Sequence, residues 1–250
     1  MTVKTLYEKL NTAIPASLSC EWDNDGLMCC PDSTKEVRRA LVCLDVTADA
    51  IDKAISEECD VIVTHHPLIF KGLKAITDEF FIPKKAIKLI RAGISVMSFH
   101  TRLDALSGGV NDRLAELLEL GDIAPFGDGI GRIGMLKMTC DIESFAKKVK
   151  AVLGAPVVQY ADAQRDVQRV AVLGGSGKDE LYAAIAAGAD TFVSGELSHH
   201  PMTDAPDMNI NLIEAGHFYT EEPVCKVLCQ ILTELGIEAI HYNSNKTKVI

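Results

Sequence analysis

The chain has 250 residues, 48% hydrophobic and 24% charged, a composition typical of a soluble globular protein with room for one large domain or two small ones. Its 35 acidic residues against 25 basic ones give a formal net charge of −10, and no lysine or arginine run breaks that balance, so a nucleic-acid partner is disfavoured. The longest apolar stretches are strand-sized and bounded by charges, which argues against a membrane span, and the eight cysteines show no C-x-x-C framework.

In chain order, residues 1–10 read as an amphipathic helix with charges at Lys4, Glu8 and Lys9 and without the apolar core of a signal peptide. A cytoplasmic location is therefore expected, with Cys43, Cys225 and Cys229 as reduced thiols inside apolar patterns. Trp22-Asp-Asn-Asp-Gly26-Leu27 is a turn around the lone tryptophan, and its polar residues either reach a functional cleft or close the loop. The vicinal Cys29-Cys30 pair reads as packed or surface thiols, with soft-metal binding or oxidation as the alternative. Strands and helices then alternate. Strands are predicted over 39–44, 61–64, 94–99, 132–138, 167–173, 191–194, 210–214 and 237–242, and helices over 48–57, 83–92, 110–120, 142–153, 178–187 and 221–235. That order predicts an α/β protein with mainly parallel or mixed sheets flanked by helices.

The stretch Asp60-Val-Ile-Val-Thr-His65-His66-Pro67 is the most informative in the chain. Val61–Val63 is a short β-branched core strand, and Pro67 stops it, so both imidazoles sit where the chain leaves the sheet. Ligands of open α/β sheets bind at that end, and neutral imidazole is the commonest protein ligand for transition metals.

Shifting Val37–Thr64 by 130 positions lands it on Val167–Ser194 without a gap. Val37 meets Val167, Arg39 meets Arg169, Asp49 meets Asp179, Ala54-Ile55 meets Ala184-Ile185 and Asp60 meets Asp190. Farther on, His100-Thr-Arg-Leu-Asp104 answers His217-Phe-Tyr-Thr-Glu221, each after a predicted strand. Shared phasing of generic βαβ units explains the apolar matches but not the polar ones, so an internal duplication is expected. It predicts two similar α/β lobes, 1–125 and 126–250, with a metal cleft between them.

The candidate ligands are His65, His66 and Asp104 from the first half and His217 and Glu221 from the second. Pro223 places the start of the last helix near Thr220, with His217 in the turn ahead and Glu221 at the helix entrance. Three imidazoles and two carboxylates exceed what one tetrahedral ion takes, and two divalent ions sharing a carboxylate use the set better. Nitrogen and oxygen ligation suits zinc, iron, manganese or cobalt. Asp104 as a helix cap and Glu221 as a dipole-favoured first-turn acid are the bland alternatives. His100 reads as an outer hydrogen-bond partner, Glu196 as a cleft-lining acid, and His199 and His200 as outer-shell or surface residues. Leu173-Gly-Gly-Ser-Gly177-Lys178 is either a tight strand-to-helix turn or an amide cradle for an anion. It completes neither a Walker motif nor G-x-G-x-x-G.

These residues resemble the NGG-one-interacting-factor-three-like family, also labelled GTP cyclohydrolase I type 2 homologs. The landmarks are Trp22–Leu27, Thr64-His-His-Pro67, His100–Asp104, Gly174–Gly177, Ser194-Gly-Glu196 and Gly216-His-Phe-Tyr-Thr-Glu221, spread nearly end to end. The resemblance implies a dinuclear site on His65, His66, Asp104, His217 and Glu221, with Glu221 bridging, two similar α/β lobes without the inserted middle domain of some members, and a hexameric ring. Cys29-Cys30-Pro31 stands where the family usually has a glycine, and Arg102 where a small or amide residue is common.

The expected function is that of a cytosolic metal-dependent hydrolase on a nucleotide-like or other anionic small molecule. Glu196 or His100 would move protons, and Gly174–Gly177 with Arg102 would hold the anion. The alternative is a metal-binding adaptor or metallochaperone working through protein contacts.

Overall fold

The computed structural model describes residues 1–250. Its helices are α1 (Val3–Ala13), α2 (Ala48–Ser56), α3 (Phe81–Ala92), α4 (Thr101–Ala105), α5 (Val110–Leu117), α6 (Ile142–Leu153), α7 (Leu181–Ala186), α8 (His199–Asp204), α9 (His217–Glu221) and α10 (Val224–Glu234). Its strands are β1 (Gly26–Cys29), β2 (Arg39–Cys43), β3 (Val61–Thr64), β4 (Ser95–Ser98), β5 (Gly121–Phe126), β6 (Gly131–Cys140), β7 (Gln159–Ala161), β8 (Val167–Ser176), β9 (Thr191–Glu196), β10 (Asn211–Glu214) and β11 (Glu238–His241). No helix is long and apolar enough to cross a membrane, and none of the eight cysteines forms a disulfide.

The chain forms two compact units, Met1–Leu103 with Val224–Lys246, and Asp104–Pro223 with Thr247–Ile250. This is not the simple halving at 125/126 expected from the repeat. The C-terminal segment belongs to the first unit because β11 pairs parallel with β2, Glu238 opposite Arg39, and α10 packs on both strands. The other boundary falls early because Arg132 Nη2 donates to the Ala105 and Leu106 carbonyls and Asn111 Nδ2 to the Asp104 carbonyl.

The first unit holds a five-stranded sheet in the order β1-β4-β3-β2-β11, parallel except for β1. Leu41, Cys43, Ile62 and Val96 point to one face, where Ile51 and Ala54 of α2 and Leu89 of α3 cover them. α2 starts where the Thr47 side chain accepts from the Ala50 amide, and α3 ends at Gly93 with φ +66°. The second unit holds a six-stranded sheet, β5-β6-β8-β9-β10-β7, with only β8, β9 and β10 mutually parallel. Alternate residues of β8 enter opposite cores: Val170 and Val172 meet Phe145 and Val149, whereas Ala171 and Leu173 meet Phe192 and Leu181. The sheets are thus mixed, and β1, β5 and β7 add antiparallel edges that the sequence pattern does not predict.

Each unit by itself carries the same strand–helix–strand register. Ala40 pairs with Val61 in the first, and Val170 with Thr191 in the second, 130 positions on. The Asp60 carboxylate accepts the amides of Arg38 and Arg39, and the Asp190 carboxylate accepts those of Gln168 and Arg169. Asp60 and Asp190 therefore lock the starts of β2 and β8 to the starts of β3 and β9. Bonds from backbone amides to a charged acceptor contribute about 1.5–3 kcal/mol. Asp190→Ala should accordingly lower unfolding free energy by about 1.5–3 kcal/mol, read from urea denaturation. A midpoint equal to that of the parent chain rejects the lock.

Candidate metal centre

Three imidazoles meet in the first unit, each delivered from the carboxyl end of a strand. His65 and His66 come directly after β3, and His100 comes two residues after β4. Ring centroids lie 5.0 Å apart for His65–His66, 5.2 Å for His65–His100 and 5.7 Å for His66–His100, and one nitrogen of each lies within 4.8 Å of the others.

Each ring is anchored at Nδ1. His65, fully buried, bonds the Phe99 carbonyl at 3.0 Å. His66 bonds Asp45 Oδ1 at 2.8 Å, and His100 bonds Asp23 Oδ1 at 2.9 Å. A carbonyl or carboxylate oxygen accepts the bond, so Nδ1 carries the proton and Nε2 of the neutral ring becomes the electron-pair donor. This arrangement is the one by which oxygen partners orient metal-binding histidines.

The Trp22–Leu27 turn is the clamp behind His100. Asp23 Oδ2 accepts from the Thr101 amide at 3.0 Å and the Thr101 hydroxyl at 2.6 Å, while Asp25 Oδ2 accepts from the His100 amide at 3.3 Å. Burial pushes the Asp23 carboxyl up, but bonds from His100 and Thr101 outweigh it and hold the group well below the usual carboxylate range. Of the two readings of this turn, the structure supports the one in which its polar residues reach the site.

Arg102 departs from its expected role. Its guanidinium is buried, bonded to Asp25, Asn11 Oδ1 and the Ile14 carbonyl, and stacked over Phe99 at 4.7 Å. It braces α4 and is not exposed to hold an anion. Gly174–Gly177 departs likewise. The Gly174 amide donates to Asn111 Oδ1, that of Gly175 to Thr220 Oγ1 and that of Gly177 to the Glu196 carbonyl, so these amides are committed within the fold.

These glycines serve close packing instead. A Cβ on Gly195 would stand 2.6 Å from the Gly175 carbonyl oxygen and 2.7 Å from His217 Cα. One on Gly175, whose φ is +66°, would collide with Glu221 Oε1 and lie 3.2 Å from His217 Nε2. Bare backbone thus lets α9 sit against β8 and β9.

His217 and Glu221 open and close α9, and Pro223 separates it from α10. His217 is therefore helical, not in a turn ahead of the helix, and Glu221 faces it one turn later. His217 Nε2 lies 3.1 Å from Glu221 Oε2, and its Nδ1 lies 3.4 Å from Glu196 Oε2. Asp104, on α4, belongs to this second unit and brings a carboxylate oxygen within 4.8 Å of one from Glu221. Both acids are nearly buried, and two carboxyl groups so close are relieved by a cation or by a shared proton. The donor set of imidazole nitrogens and carboxylate oxygens therefore fits a divalent metal in chemistry. His199 and His200 stand exposed at the start of α8 and join neither set, which favours the surface reading. Asp45 is invisible to sequence reasoning because a lone acid after a strand carries no pattern of its own.

The family described as Duf34/NIF3 (NGG1p interacting factor 3) matches residues 1–248. A Clostridium acetobutylicum protein named "GTP cyclohydrolase 1 type 2 homolog" is 34% identical over 241 residues, spanning 93% of this chain and 90% of its own length. A Schizosaccharomyces pombe "Protein NIF3 homolog" is 33% identical over 234 residues, 86% of this chain and 83% of its own. Among solved structures, reduced HcgD from Methanocaldococcus jannaschii superposes with a TM-score of 0.84 at 31% identity, covering 96% of this chain and 97% of its own. A Staphylococcus aureus protein superposes with a TM-score of 0.90 at 26% identity over 100% and 99% of the two chains.

The clamp yields a direct test. Asp23→Ala should cost about 1.5–3 kcal/mol of stability and release the His100 ring from a single tautomer, visible in nitrogen NMR of the imidazoles. A spectrum still showing only the Nδ1-protonated ring contradicts the clamp.

Proposed function

The chain belongs to the Duf34/NIF3 family, and from that premise we propose that it is a dinuclear metal protein working as a hydrolase on a nucleotide-like or other anionic small molecule. In this reading His65, His66, Asp104, His217 and Glu221 are the residues that would hold two divalent ions. The two units derive from one duplicated ancestor, a reading that the common register and the Asp60 and Asp190 locks support. Assembly into a hexameric ring in the cytoplasm belongs to the same proposal.

The observation that carries it is the anchoring of His65, His66 and His100 at Nδ1 by oxygens, since packing alone has no need to fix three clustered rings in one tautomer. Two ions so held would lower the pKa of a water between them and offset negative charge developing on the substrate. The chain's own residues do the remaining work. Asp45 and the Phe99 carbonyl keep the His66 and His65 rings aimed, and Gly174, Gly175 and Gly195 let α9 bring His217 and Glu221 close. Glu196, mostly exposed beside His217 Nδ1, and His100, backed by Asp23, are the proton carriers. The name borne by several relatives points to a guanine nucleotide as the substrate class.

The second reading, an adaptor whose partner affinity tracks metal occupancy, is favoured by the exposed apolar rings at Phe80 and Phe81. Pull-down with and without chelator separates the two.

Elemental analysis of freshly purified protein should find about two divalent ions per chain, the stoichiometry of a two-metal site. The double variant His65→Ala with Glu221→Ala should lose most of that metal, together with any turnover found in a screen of nucleotides and phosphoesters. Turnover that survives in the metal-poor double variant defeats the hydrolase reading.

A further inference from the structure

Two rings, Trp22 and Phe70, stand against His100 at the margin of the histidine set and are not needed to hold it together. Trp22 and Phe70 have centroids 6.2 Å apart at 70°, Trp22 and His100 6.3 Å at 78°, and Phe70 and His100 6.1 Å at 89°. Mutually near-perpendicular rings make a corner. A fourth flat ring laid on any one face meets the others edge to face, which is a favoured aromatic geometry.

The corner is open to a ligand. Trp22 is 65% exposed and Phe70 46%, whereas the His100 side chain is only 18% exposed and forms the inner wall. It is also held in place. Trp22 precedes Asp23, which the His100 and Thr101 bonds fix, and Asn24 Nδ2 donates to the Ile69 carbonyl at 2.5 Å, tying the Trp22 turn to the residue before Phe70. Two exposed rings suffice to grip one planar group. They fall far short of the roughly 800 Å² per partner that a stable protein interface buries. The third ring can also exchange hydrogen bonds, which suits a heterocycle better than a hydrocarbon side chain.

The geometry points to a stacking subsite for a planar heteroaromatic ring of the nucleobase class, gripped by Trp22 and Phe70 with its edge toward His100. The direction of the reacting group, toward His65 and His66, rests on the hydrolase reading; the stacking itself needs no metal.

Trp22 is the chain's only tryptophan, so its emission reports on the corner directly. The experiment titrates GMP, with ribose 5-phosphate as the baseless control, into chelator-treated and metal-loaded protein. GMP should quench Trp22 emission in both forms and ribose 5-phosphate in neither. Phe70→Ala, monitored by fluorescence, and Trp22→Ala, monitored by calorimetry, should each weaken GMP binding by about fivefold or more, the scale of one lost base–aromatic stack. Both side chains are exposed, so melting curves should match the parent and separate lost binding from lost fold. Absence of quenching by GMP, equal binding of the two probes, or unchanged affinity in both variants overturns the subsite. A shift in oligomer size on Trp22→Ala with GMP affinity intact also overturns it, and assigns the rings to a contact between copies. A chain that binds GMP at Trp22 yet carries no metal would sink the hydrolase reading and leave the subsite standing; a two-metal chain indifferent to GMP would do the reverse.

Discussion

The bond from His65 Nδ1 to the Phe99 carbonyl exists because β3 and β4 run parallel with Thr64 opposite Ser98, and the Phe99 amide returns a bond to the Thr64 carbonyl. Strand register thus decides which way the imidazole points. A slip of one residue would turn His65 to the other side of the sheet, because side chains alternate. The same logic reaches His66 and His100, whose partners Asp45 and Asp23 sit in loops fixed by neighbouring strands. The Thr64 and Ser98 hydroxyls, 2.8 Å apart and fully buried, add a polar rivet at the last rung before the loops diverge. Geometry at the donors is therefore inherited from the sheet and does not depend on the side chains finding one another.

The paired acids show how two cores can keep one plan while their surfaces differ. Asp60 and Asp190 occupy equivalent positions and make equivalent bonds, yet the segments after β3 and β9 place their His-His-Pro sequences differently. After β3 come two imidazoles. β9 instead ends on Glu196 and leads, through a strained Ser198 at φ +70°, to α8, whose own His199-His200 pair lies exposed. On the next strand, the turn after β10 holds Gly216 at φ +86° between Ala215 and His217, whereas His100 stands immediately after Phe99. That additional residue explains why the two His-x-x-x-carboxylate segments align one position out of step with the strands before them.

Much of this was legible in the amino-acid order. Short uncharged apolar runs give away β2, β3, β8 and β9, because strands buried on both faces need no polar alternation. Histidine just past such a run is conspicuous, which singles out His65, His66 and His217 as candidates, and Glu221 enters through the His-x-x-x-carboxylate spacing. The edges were not legible. β1, β5 and β7 are short or polar, and antiparallel edge pairing leaves little apolar signature. α4 and α9 are five residues each, too short for helical periodicity. Arg102 misled because a cation near candidate ligands resembles an anion grip, and only burial reveals that it faces Asp25, Asn11 and Phe99. The Gly174–Gly177 turn misled for a related reason. Glycines that admit a ligand and glycines that admit a helix look alike until the amides are traced to their partners.

The return of β11 to the first sheet bears on how the protein is made. β2 is translated well before its outer neighbour β11, because the whole of Asp104–Pro223 lies between them in the chain. The sheet that carries His65 and His66 must wait, with one flank of β2 unpaired, while Asp104–Pro223 is synthesised. That intervening stretch has all six of its own strands and can close first. The histidine-bearing sheet therefore gains its last strand only once β11 has emerged, after every strand of the second unit is already available to pair.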